Sequence, residues 1–247
     1  MSNFDIRDEP SLLFYATLLC SEGKTGSDGA WQVAPFFCSL PYRTDCLAEL
    51  NRLREALATR FPELIAFGDR RAAKAYKSNH NSITKPSYIK RLMVSGTKHS
   101  QLRNILQIAS TEPTSGGLVF SIFEPRDLEK RLRPGYVPCL VSGSFLLHEN
   151  EFQLNAFFRS QSIVEFGVQD LIFLRQFQSE VVDEINRRRQ ENDHQGLAPG
   201  SLNIQFGRII VQRRMMRNRH GFVRRDTVVE PWLKVVEQFL QTRRLAY

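Results

Sequence analysis

Two segments of alternating hydrophobicity, Leu140–Leu147 and Phe152–Phe158, are separated by the four residues 148–151. Period-two patterning on either side of a short polar turn reads as a β-hairpin, since alternate side chains of a strand face opposite sides. After Gly167 the period changes. Leu171, Leu174, Val181 and Ile185 fall on one helical stripe that ends in Arg187-Arg188-Arg189, cations suited to a helix C-terminus. Glu191–Gly200 reads as a loop, and Leu202, Ile204 and Phe206 alternate again, with Ile209 and Val211 expected to continue that strand past a bulge at Gly207.

The flanks fit the same class. Leu47, Leu50, Leu53 and Leu57 predict an amphipathic helix over Asp45–Phe61, ended or bent by Pro62. Ser100–Thr111 predicts a second helix feeding a strand at Leu118–Phe123, and Trp232, Val235, Val236, Phe239 and Leu240 form the inward face of a last helix. The apolar run Leu12–Leu19 suits either a strand or a helix, Gly23–Gly29 reads as a loop, and the polar, basic stretch Gly68–Pro86 reads as surface or a loop over a site. Strands interspersed with helices, without strict alternation, predict a mixed α/β layer fold in one domain spanning 1–247.

Bulk properties narrow the partners. The chain has 247 residues and a formal net charge of +8, which favours anionic ligands such as nucleotides or nucleic acid. Arg208, Arg213, Arg214, Arg217, Arg219, Arg224 and Arg225 crowd one late tract, where His220 and Phe222 offer stacking surfaces. Four cysteines without a Cys-x-x-Cys pair argue against a disulfide framework or a zinc site. No run of about 18 apolar residues and no charged-then-apolar leader occur, so the expectation is a soluble, cytoplasmic protein.

Chemistry-bearing residues gather around the hairpin. Pro138-Cys139 precedes it, Arg159-Ser160 closes it twenty residues later, and Asp170 follows eleven residues after Arg159. With Glu112-Pro113-Thr114-Ser115 before and Pro199-Gly200-Ser201-Leu202 after, this ordered set resembles the thymidylate synthase and pyrimidine hydroxymethylase family over roughly residues 98 to 212. The resemblance implies a thymidylate synthase-like mixed sheet layered with helices. It implies that Cys139 adds to carbon 6 of a pyrimidine nucleotide, so that carbon 5 attacks a one-carbon unit from 5,10-methylenetetrahydrofolate, giving methylation or hydroxymethylation. Arg159, with Ser160 beside it, would activate the thiol and hold the substrate phosphate. Asp170 would read the base edge, with cytosine favoured over uracil, and Glu63 echoes the family's upstream catalytic glutamate. A homodimer is implied as well. Where the family carries paired phosphate-binding arginines this chain has Gly116-Gly117, so other cations, Arg208 among them, would have to substitute.

Single residues carry less than the set. A lone cysteine is more often a small buried residue, Arg159 alone suits a strand end, and Asp170 alone suits the first turn of a helix. A second reading is a scaffold of that family with altered catalysis that binds a nucleotide, nucleic acid through the 208–225 arginines, or a protein.

Overall fold

The computed structural model describes residues 6–25, 29–33, 35–76, 87–93, 100–125, 127, 137–212, 214–218 and 221–244. The fold is mixed α/β, as expected. A five-stranded sheet has the order β3 (Phe36–Leu40), β8 (Ala198–Phe206), β6 (Glu151–Phe158), β5 (Leu140–His148), β4 (Val119–Ser121). All neighbours run antiparallel except β6 and β8, which are parallel. A second sheet has the order β1 (Lys24–Thr25), β2 (Trp31–Val33), β9 (Ile209–Val211), β7 (Gln161–Ser162), with β7 parallel to β9.

The central helix, α6 (Ile163–Gln190), explains both parallel pairs. Strands β6 and β7 lead into it and β8 and β9 lead out, so it is one crossover serving two sheets. The chain changes sheet twice in the same place, at Arg159-Ser160 and at Gly207-Arg208. Two hydrogen bonds stitch that seam: Gly207 N–H donates to the Phe158 carbonyl (2.7 Å), and Gln161 N–H to the Arg208 carbonyl (3.0 Å). A Cβ on Gly207 would sit 2.8 Å from the Arg159 carbonyl oxygen, which is why glycine stands at this close approach. Ile209 and Val211 therefore do not prolong β8 past a bulge; they belong to the other sheet.

One face of the large sheet makes the core. Cys38, Ile204, Ala156, Gly143 and Phe120 form a cross-strand row facing inward, and Leu40, Leu202, Leu154 and Phe145 form the next. They pack under α6 with α1 (Glu9–Glu22), which settles the Leu12–Leu19 run as a helix. Asp8 caps α1, accepting from Ser11 N–H at 2.9 Å. The buried guanidinium of Arg175 ties four elements: it donates to Glu9, to the carbonyls of Leu40, Pro41 and Gly200, and to Gln178. Removing one member of such a pair leaves a buried charge uncompensated, at a cost of about 3–5 kcal/mol.

Around this centre lie α2 (Cys46–Arg60), α3 (Pro62–Tyr76), α4 (Tyr88–Met93), α5 (Gln101–Thr111) and α7 (Val229–Arg244). Pro62 does not merely stop α2; it opens α3, where its missing N–H costs nothing. The stretch expected to be a loop from Gly68 is thus helical through Tyr76, while 77–86 lies outside the described residues. Its polar composition belongs to an exposed helix face. Gly68 lets α3 close on α6, since a Cβ there would meet the Glu165 carbonyl at 2.7 Å. Among the described residues no helix is long and apolar enough to cross a membrane.

Candidate functional site

The seam between the sheets positions most of the chemistry-bearing residues. Arg159 N–H donates to the Cys139 carbonyl at 2.9 Å, pinning the residue before β5 to the end of β6. The Arg159 guanidinium reaches back to the carbonyls of Pro138 (Nε, 2.9 Å) and Val137 (Nη2, 3.0 Å). Two of its five N–H groups thus shape the approach to the thiol, and the others remain for a ligand. On the opposite strand pair, Arg208 Nε donates to the Ser160 hydroxyl at 3.3 Å. From behind, Cys139 N–H donates to the Tyr88 hydroxyl at 3.2 Å.

Three guanidiniums act on the Cys139 thiol: Arg159, Arg71 of α3 and Arg208. Burial is the larger effect and pushes the thiol above its ordinary value; the three cations pull it down without reversing the shift. A mostly protonated thiol therefore rests in a cationic corner. None of the three arginines has a carboxylate partner among the described residues. Guanidiniums that act on one thiol and have no carboxylate partner among the described residues suit an anion, because a phosphate oxygen gains charge-assisted hydrogen bonds without displacing a carboxylate. In the sequence Arg71 is one of several cations in the basic stretch Gly68–Pro86 read as surface or a loop over a site, and nothing there singles it out.

Asp170 lies next to this corner but faces elsewhere. It is the eighth residue of α6, not the head of a helix, because the helix begins at Ile163 and Gly167 is interior, packed against Leu13 and Ile163. It lines a narrow cavity of about 10 Å³ with Gln161, Phe158, Phe206, Leu171 and Leu174; Cys139 is not among the lining residues. Part of the residue's surface reaches solvent, yet the carboxyl is enclosed by apolar neighbours that raise it well above the usual carboxylate range. Gln161 faces the same cavity with both amide atoms unpartnered. That space holds about one water molecule. Gln161 carries no sequence signal beyond following Arg159-Ser160, and only the structure marks it.

The remaining expected positions are scattered. Glu63 sits exposed on the first turn of α3, eight residues before Arg71 and so about 12 Å away along the helix axis. Gly116-Gly117 lies in an exposed turn before β4. Ser162, where the resembled family carries a folate-side aspartate, is buried and donates its hydroxyl to Glu165 at 2.7 Å. At that position the donor set does not fit a folate. A larger groove of about 540 Å³ runs between α2, α3 and α6, past Arg54, Asp69, Tyr76 and Phe173. Its Arg54 and Asp69 are paired with each other, and the Tyr76–Tyr88–Phe173 ring cluster lies between it and the thiol.

Comparison of the chain with protein-family models and with characterised proteins returns no match.

Proposed function

We propose that this protein binds a pyrimidine nucleotide at the seam and that Cys139 adds to carbon 6 of its ring, with one-carbon transfer to carbon 5 as the reaction class. The observation that supports this reading is that Arg159, Arg71 and Arg208 all act electrostatically on one thiol, with no carboxylate paired to any of them among the described residues. Arg159, Arg208 and Ser160 hold the phosphate, taking over from the two arginines replaced by Gly116-Gly117. As sulfur bonds to carbon 6, electron density moves to carbon 5 and the 4-position of the ring, making carbon 5 nucleophilic; carbon 5 bonds to a one-carbon electrophile and then loses its proton to solvent as the C–S bond breaks, restoring the ring. The thiol gives up its proton on addition, and the guanidiniums stabilise the thiolate that forms. The one-carbon donor would be a reduced folate, as the resemblance implies, and it would have to bind without the aspartate that Ser162 replaces.

Asp170 and Gln161 face a separate cavity of about 10 Å³, too small for a pyrimidine ring, so the base-reading role expected of Asp170 is not part of this reading. The chain is further proposed to work as a homodimer through the uncovered face of its large sheet.

Calorimetric titration with cytidine, cytidine monophosphate and uridine monophosphate tests the reading. The monophosphate should bind at least about 10-fold tighter than the nucleoside, and Arg159→Ala with Arg208→Ala should erase that difference, each charge-assisted bond being worth ~1.5–3 kcal/mol. Equal binding of nucleoside and nucleotide would remove the phosphate role. Asp170→Asn should leave the preference between cytosine and uracil unchanged; a shift toward uracil would put Asp170 in the site.

A further inference from the structure

The tract 208–225 holds seven arginines and no acidic residue. With a net charge of +8 for the chain, it leaves a formal +1 for everything else. This charge is organised. β10 (Arg214–Asn218) and β11 (Gly221–Arg224) pair antiparallel as a two-stranded ribbon that joins neither sheet, and β10 packs against α3. Register places Arg214 opposite Arg224, and Arg217 opposite Phe222. Like charges directly opposite on a ribbon weaken it, and an isolated two-stranded ribbon has little stability to spare.

The contrast with the chain's other arginine run is instructive. Arg187 and Arg188, at the end of α6, are answered by Glu184 and Glu191 on the same helix. Arg224 of the ribbon forms an exposed pair with Asp226 at 2.9 Å, an interaction worth little in water. Arg213, Arg219 and His220 lie outside the described residues.

We infer that the β10–β11 ribbon is a docking element for duplex DNA, entering the major groove and neutralising phosphates on its walls. The dimensions agree. Two strands about 4.8 Å apart, with side chains on either side, fill a groove about 12 Å wide, which admits a two-stranded ribbon. Arginine rather than lysine throughout suits bidentate phosphate contacts. This goes beyond the nucleotide reading and does not depend on it: the ribbon residues tested below are outside the thiol corner.

Fluorescence anisotropy with a labelled duplex of about 20 base pairs, across 50–300 mM salt, tests it using the full chain. Affinity should fall with salt with a log–log slope of about −3 to −6, roughly one unit per phosphate neutralised. The triple variant R214A/R217A/R224A should reduce the slope by about 3 and weaken binding at least 10-fold. R214K/R217K/R224K, which keeps the charge, should retain most of the binding and controls for misfolding, as does R187A/R188A, which should leave the slope unchanged. No duplex binding at 50 mM salt, a slope unmoved by the triple variant, single strands or RNA bound as tightly as the duplex, or binding only to anionic lipid vesicles would each overturn the assignment.

Discussion

A carboxyl enclosed by Phe158, Phe206, Leu171 and Leu174 holds its proton more tightly than one in water, because ionisation would place an unpaired charge in an apolar space. The folded state then binds more protons than the unfolded chain between the ordinary Asp value, about 3.9, and the raised one. Stability must fall as pH rises through that window and is fully present below it. Asp170→Asn removes the ionisation while keeping the shape. It should raise Tm at pH 7 by about 2–4 °C for each kcal/mol recovered, and leave Tm unchanged below about pH 4. Thermal melts at pH 3.5 and 7 check this. A variant equally destabilised at both would show that the carboxylate has a partner in the folded chain. Cys139, the proposed nucleophile, shows the same competition: desolvation raises the thiol, three guanidiniums lower it, and desolvation wins.

At the scale of elements, what the sequence revealed was local. The α2 leucines, the β5–β6 hairpin and the inward face of α7 each sit where their period places them, since each pattern needs only its own neighbours. Two boundaries went differently for a physical reason. Gly167 looks like a helix breaker, but it is interior to α6, where its missing side chain makes room for Leu13 and Ile163. The charged stretch after Gly68 reads as loop, yet Leu64, Ile65 and Gly68 bury one face and the charges occupy the other. The site was half legible. Cys139, Arg159, Ser160 and Arg208 come together because β6 and β8 both end at the seam, but that adjacency is a property of the crossover through α6 and not of spacing. Arg71 and Gln161 arrive from other elements and had no linear signal.

At the scale of the molecule, the outer face of the large sheet stands out by what it lacks. Two cross-strand rows run Phe37, Gln205, Phe157, Ser142, Ser121 and Ser39, Asn203, Asn155, Ser144, Val119, without one charge in a chain that is 24% charged. Hydrogen bonds link Ser39 to Asn203, Asn203 to Asn155 and Asn155 to Ser144, while Phe37, Val119 and Leu146 stay exposed. Exposed apolar surface beside a satisfied polar ladder suits the proposed homodimer, in which this face would pair with its own copy in the two-fold contact commonest among homodimers. Light scattering after gel filtration should give a dimer, and Phe37→Arg with Val119→Asp a monomer; a monomeric wild type would sink this. The central claim is chemical, and mass spectrometry reaches it most directly. Incubation with a 5-fluoropyrimidine nucleotide, with and without a one-carbon donor, should add the nucleotide's mass to a peptide containing Cys139, and Cys139→Ser should abolish the adduct. Wild-type protein that binds the nucleotide yet carries no added mass on that peptide under either condition would contradict the account.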